Sequence, residues 1–162
     1  RAIGIAGSPE KCEWVRRAAR FDACIDYRRE DVGARLRELA PQGVDVFFDN
    51  TGGELQHTVI MGRHLAMHAR VVLSGLVTQY NLADPPPGPN LGVLMASRAR
   101  ILPLIVYDYE HRREEFLRTA LAWHEEGRLA WKEDVVEGLQ NAAHAFCRLM
   151  RGENFGKSLV RV

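Results

Sequence analysis

The stretch Val44-Asp45-Val46-Phe47-Phe48-Asp49-Asn50-Thr51-Gly52-Gly53 decides the fold. Its β-branched and aromatic run is too short for a free-standing helix and has the composition of a buried strand. The run stops at two polar residues and a Gly pair. In an open α/β sheet, ligands sit just beyond the carboxyl ends of strands, so Asn50 would point at a bound molecule. The plainer alternative is that Asp49 and Asn50 only shape a turn.

Toward the amino terminus, Ala2 to Ala6 reads as a strand, and Gly7-Ser8-Pro9-Glu10 as a helix start with Ser8 as N-cap and Pro9 at the first helical position. Trp14, Val15, Ala18 and Ala19 fall on one face of that helix. Ala23 to Tyr27 reads as a second strand. Asp31 to Ala40 is an amphipathic helix with Val32, Leu36 and Leu39 inward, ended by Pro41 and Gly43. Beyond the organising strand, a helix is predicted from Glu54 to about Met67, near whose end His64 and His68, four apart, could face one way, and then a strand from Arg70 to Ser74.

Four of the seven prolines fall between Pro85 and Pro89, in a stiff stretch from Thr78 to Asn90. A short helix, Leu91 to Ala99, leads to a strand from Ile101 to Val106. His111 to Arg128 is a periodic helix whose stripe of Phe116, Leu117, Ala120, Leu121 and Trp123 reads as core. A strand from Lys132 to Val136, a helix from Leu139 to Met150, a polar turn at Gly152-Glu153-Asn154 and a strand from Ser158 to Val162 complete the pattern. Alternating strands and helices predict an α/β fold with a mainly parallel sheet.

The chain has 162 residues, about one domain, and its 22 Lys plus Arg nearly balance 21 Asp plus Glu. Charge suggests neither a nucleic-acid surface nor a polybasic membrane patch. No apolar run approaches the ~18 residues of a membrane span. Cys12, Cys24 and Cys147 fit no disulfide framework and no zinc motif. With no leader pattern, reduced thiols and a cytoplasmic location are the expectation. His64 and His68 lack a third ligand, so no metal site is expected. A Gly-x-Ser-x-Gly nucleophile elbow is absent.

Lys11 lies in the first turn of a helix, where the macrodipole is positive and a cation is mildly unfavourable unless an anion is near. It is either a solvated lysine or a phosphate ligand. In a dinucleotide fold, the place of the acidic residue that holds a ribose 2′-hydroxyl is filled here by neutral Ala6-Gly7-Ser8, with Lys11 close by. That arrangement favours NADP over NAD. Leu73 to Asn81 ends a strand in a polar loop that would form the second wall of a crevice beside Asn50, with Tyr80 offering a hydroxyl.

Six motifs then occur in a familiar order: Ala6-Gly7-Ser8-Pro9-Glu10-Lys11, Ile25-Asp26-Tyr27, Phe48-Asp49-Asn50-Thr51-Gly52-Gly53, Ser74-Gly75 with Gln79-Tyr80-Asn81, Pro85-Pro86-Pro87-Gly88-Pro89, and Gly152-Glu153-Asn154-Phe155-Gly156-Lys157. The chain resembles prostaglandin reductases and bacterial NADPH-dependent curcumin-reductase-like enzymes. These form the zinc-free branch of the medium-chain dehydrogenase/reductase superfamily. The resemblance implies NADPH-dependent reduction of the carbon–carbon double bond of α,β-unsaturated ketones and aldehydes, with hydride delivered to the β-carbon. It implies that Lys11 and Tyr27 hold the 2′-phosphate and that Asn50 lies near the cofactor. Ser74, Gly75, Leu76, Val77, Thr78, Gln79 and Tyr80 would line the nicotinamide half, Tyr80 being tied to catalysis through the nicotinamide ribose. Leu104, Ile105, Val106 and Asn154 would be further cofactor contacts. It also implies a homodimer through the Ile101–Val106 edge strand.

The departure from the family pattern is that no Gly-x-Gly-x-x-Gly is present. The expected fold is therefore a Rossmann-type doubly wound parallel sheet lacking its first strand and Gly-rich turn. In the order 3-2-1-4-5-6 that leaves Ala2–Ala6 and Val44–Phe48 without their shared neighbour. Residues 1–143 would be a partial dinucleotide-binding domain, and 144–162 a segment returning to an absent catalytic domain. The isolated chain would then have little activity. A quinone reductase of the same superfamily and a non-catalytic remnant used for assembly are the alternatives.

Overall fold

The computed structural model describes residues 1–162 and is a parallel α/β structure. The chain divides into two compact units, Arg1–Arg28 with His111–Val162, and Arg29–Glu110.

In the first unit, β1 (Ile3–Ala6) pairs in parallel with β2 (Ala23–Asp26), with Ala6 in register with Asp26. Helix α1 (Pro9–Arg17) joins them as the sequence predicts: Ser8 Oγ accepts from the Lys11 N–H and Pro9 opens the helix. The helix lies so close to β1 that a Cβ on Gly4 would come within 2.8 Å of Val15 Cγ1. Ile25 is fully buried, a contribution of roughly 1.5–3 kcal/mol. In the same unit β6 (Glu133–Glu137) and β7 (Lys157–Arg161) form a separate parallel pair around α6 (Ala142–Met150). The expected boundary after residue 143 falls inside α6. Gly156, at φ 106°, lies against the Lys132 carbonyl, where a Cβ would come within 2.2 Å. Only glycine fits there.

The second unit holds a three-stranded parallel sheet in the order β3 (Val44–Asp49), β4 (Leu65–Leu73), β5 (Arg100–Pro103). Helices α2 (Val32–Leu39), α3 (Gly53–Met61) and α4 (Leu94–Ser97) connect or flank these strands. Val59, Ile60, Ala69 and Val71 form its core with Val32 and Leu36. Asp31 caps α2 by accepting from the Ala34 N–H at 2.8 Å. No strand of the chain pairs with the second side of β1 or of β3, the two strands expected to share an absent neighbour. Val46 and Phe48, two residues apart on one face of β3, are exposed.

Three expectations are corrected. The helix predicted to Met67 ends at Met61, and Leu65-Ala66-Met67-His68-Ala69 belongs to β4. Gly62 closes α3 and Arg63 follows at φ 57°, a left-handed position that stops a helix. Pairing with β3 then overrides the helix propensity of Leu, Ala and Met. The strands slip register between Val44 and Val46, with His68 at φ 63° inside the irregular stretch of β4. His64 and His68 therefore share no helix face. The predicted strand Ile101–Val106 is shorter: Leu104 and Ile105 follow β5, and Val106 opens a 3-10 turn running to Arg112. Finally, the stripe on α5 (Arg113–Glu125) is not core. Phe116 is 64% exposed and Leu121 58%, and α5 buries no residue at all. Periodicity specified a helix and its apolar face, but nothing in this chain covers that face.

Candidate functional site

The turn after β3 is built around Asp49, which is 1% exposed. Its Oδ1 accepts from the Thr51 N–H (3.0 Å), the Thr51 hydroxyl (3.1 Å) and the Gly52 N–H (2.9 Å), while Oδ2 accepts from Gln56 Nε2 (2.8 Å). A buried carboxylate with four donors is satisfied and fixes the chain reversal. Gly52 and Gly53 follow at φ 67° and 62°, and Gly52 N-caps α3. Of the two openings left by the sequence, Asp49 takes the turn-shaping role, and neighbouring Asn50 is left exposed.

The loop after β4 folds back onto this turn. The N–H groups of Ser74 and Gly75 donate to the Asp49 carbonyl, at 2.8 and 3.3 Å, and the Val77 N–H to that of Asn50 at 3.3 Å. Thr78 grips the Thr51 carbonyl twice, through N–H (3.1 Å) and hydroxyl (2.7 Å). Gly75 is pinned between two side chains: a Cβ there would come within 2.5 Å of Asn50 Oδ1 and 3.1 Å of Tyr80 Oη. Tyr80 is 65% exposed, and its Oη accepts from the Leu76 N–H at 3.2 Å. The phenol thus uses a lone pair on the protein and keeps its own O–H to donate. Leu104 donates its N–H to the Leu73 carbonyl at 2.8 Å, so Asn50, Ser74 and Leu104 leave the carboxyl ends of three neighbouring strands. Ile105 and Val106 are exposed just beyond.

Lys11, Tyr27 and Asn154 belong to the other unit. Lys11 Nζ donates to the Gly152 carbonyl at 2.6 Å, joining the first helical turn to the polar turn after α6. In that turn Asn154 Nδ2 donates to the Gly156 carbonyl at 2.8 Å. Hydrogen bonding from Arg151 holds the Glu153 carboxyl below its ordinary pKa. Phe155 anchors the turn: its ring meets Trp14 edge-on at 6.5 Å, its N–H donates to Asp134 Oδ2 at 2.9 Å, and Lys132 Nζ lies 3.8 Å from its centroid. The Tyr27 N–H donates to the Ala6 carbonyl at 3.1 Å, and its ring lies against Gly7, where a Cβ would come within 2.9 Å of the hydroxyl.

The structure thus gathers Asn50, Ser74 to Tyr80 and Leu104 at one sheet edge, and Lys11 with the Asn154 turn in the first unit. The sequence reading missed Gln56, the buried partner of Asp49; an amide one helical turn into α3 carries no local signal of that contact.

Three parallel strands that end in a glycine turn, a polar loop and a short aliphatic exit define the α/β class that carries its ligands at the carboxyl edge. Residues 20–160 match the family model described as zinc-binding dehydrogenase, and the chain belongs to that family. Over its full length it is 37% identical to an NADPH-dependent curcumin reductase of Escherichia coli, and over 99% of its length 33% identical to prostaglandin reductase 1 of Bos taurus. It spans about half of these relatives, 48% and 49% of their lengths. The crystal structure of CurA from Vibrio vulnificus in complex with NADPH superposes with a TM-score of 0.91 at 36% identity, covering all of this chain and 49% of that one. A quinone oxidoreductase of Pseudomonas syringae, at a TM-score of 0.79 and 24% identity, shares the fold. No group of three or more His, Cys, Asp or Glu residues in this chain could hold a metal ion. No helix is long and apolar enough to cross a membrane.

Proposed function

We propose that this chain is the cofactor-binding portion of an NADPH-dependent reductase acting on the carbon–carbon double bond of α,β-unsaturated ketones and aldehydes. The observation that carries the reading is Gly75, held where no side chain fits, between Asn50 Oδ1 and Tyr80 Oη at the carboxyl edge of three parallel strands. Glycine at such a point lets Asn50 Oδ1 and Tyr80 Oη close on the backbone, which gathers two polar side chains at the strand ends where this sheet class carries its ligands. When bound, NADPH supplies the hydride.

The chain's own residues position it. Asn50, the backbone from Ser74 to Gln79, and Leu104 to Val106 hold the nicotinamide half. Tyr80 donates its free O–H to a ribose hydroxyl while Leu76 fixes its oxygen. Lys11 and Tyr27 hold the 2′-phosphate, and Asn154 steadies the turn that Lys11 grips. The free side of β5, with Leu102 exposed, is where a second subunit would pair.

The test is NADPH oxidation by the whole protein with a panel of an enal, an enone, a saturated ketone and a quinone. Turnover of the enal and enone to saturated carbonyls is expected. Turnover of the quinone alone, or reduction of the ketone to an alcohol, would overturn the reading. Residues 1–162 alone are expected to turn over none of the panel, since hydride transfer needs positioning to within ångströms and the chain spans half of its relatives.

A further inference from the structure

We propose that Arg28 is a second ligand of the cofactor's 2′-phosphate, held ready on the Tyr27 ring, and that it sets the preference for NADPH over NADH. The inference rests on the cofactor reading above and adds to it a residue that neither the motifs nor the family pattern singled out.

The argument begins with charge. A phosphate monoester carries about −1.5 to −2 at neutral pH, and Lys11 supplies one positive charge, with one of its three donors already given to the Gly152 carbonyl at 2.6 Å. Three other cations around this turn are committed. Arg151 is tied to Glu153 by two hydrogen bonds, Arg148 pairs with Asp134 at 3.3 Å, and Lys132 sits on the Phe155 ring. Arg28 is different: it is exposed, forms no ion pair, and its Cζ lies 5.8 Å from the centroid of the Tyr27 ring.

Geometry supplies the rest. Ala6 and Asp26 are in register, so the chain leaves β1 and β2 side by side. The Tyr27 N–H donates to the Ala6 carbonyl, and the Arg28 N–H to Asp26 Oδ1 at 3.0 Å, which fixes the backbone at both residues. Asp26 is 5% exposed, so its carboxylate serves this turn from beneath. The Tyr27 hydroxyl lies against Gly7, at the mouth of the helix that carries Lys11. A guanidinium over an aromatic ring keeps its in-plane N–H groups free, and that planar fork matches phosphate oxygens. NADH has no group there to meet it.

The test is a fluorescence titration of the whole protein with NADPH and with NADH, comparing the parent with Arg28→Ala, Arg28→Lys and Lys11→Ala. Arg28→Ala is expected to raise the NADPH Kd about tenfold or more, the size of a lost charge-assisted hydrogen bond, and to leave the NADH Kd unchanged. Arg28→Lys should recover part of the loss. An NADPH Kd unmoved in Arg28→Ala while Lys11→Ala raises it would overturn the assignment of Arg28 alone. Equal weakening of both cofactors in Arg28→Ala would also overturn it, by reducing Arg28 to a structural role. A parent protein that binds NADH as tightly as NADPH would overturn the cofactor reading itself.

Discussion

Two turns each follow a strand of this molecule, and they are built in opposite ways. The turn after β3 looks inward: a carboxylate at 1% exposure collects four donors, two glycines take left-handed conformations, and the loop after β4 is laced onto its carbonyls. The turn after β1 looks outward. Its only side-chain cap is Ser8 Oγ at 3.2 Å, and Lys11 hangs on a single exposed contact, as Arg28 does in the neighbouring turn after β2. The difference separates shape from charge: one turn is laced into a fixed shape by hydrogen bonds, and the other carries exposed cations.

That contrast breaks most readily at Asp49. Asp49→Ala leaves Gln56 and two backbone amides without their partner, and a loss of about 3 kcal/mol or more in urea denaturation of the whole protein is expected. The matching change in the other turn, Ser8→Ala, removes one cap and should cost about 1 kcal/mol. Equal losses would show that the two turns are not differently built.

Next in size is Gly75→Ala, which places a methyl within 2.5 Å of Asn50 Oδ1. Displacement of either group by an ångström is expected to lower kcat/KM for NADPH on the order of a hundredfold, with the melting temperature nearly unchanged. A variant with parental kinetics would remove this edge from the site.

The smallest expected effect concerns His64, the other buried ionisable group of the second unit, at 6% exposure. Burial first, then the Arg37 guanidinium, push its pKa below 6.5, against the opposing pull of Asp31. The fold therefore prefers the neutral ring. Stability is full above the unfolded-state pKa and declines as pH falls from 6.5 toward the lowered folded-state value. Denaturation curves at neutral and mildly acidic pH should show that decline, and His64→Gln should flatten it. An undiminished decline in the variant would assign it to other groups.

Much of this was legible in the sequence where local chemistry is decisive. Ser8 with Pro9, Asp31 before Val32, and the apolar run ending at Asp49 each carry their own signal, and each element formed where expected. The six motifs fixed the family. Legibility failed where a distant partner decides. Leu65 to Ala69 has the composition of a helix and becomes a strand because β3 pairs with it, and Phe116 with Leu121 marks a face without saying what meets it. At the site, Asn50, Gly75 and Tyr80 could be named one by one, but their convergence depends on β3 and β4 ending together.

Phe48 and its neighbours carry one more consequence. A parallel strand aims successive amides to alternate sides, and β3 has β4 on one side only. Along it every second N–H answers to solvent alone, so the strand's cohesion is lopsided. Thermal breathing of the second unit would begin from that flank, and anything that zipped onto it would stiffen the Asp49 turn directly downstream.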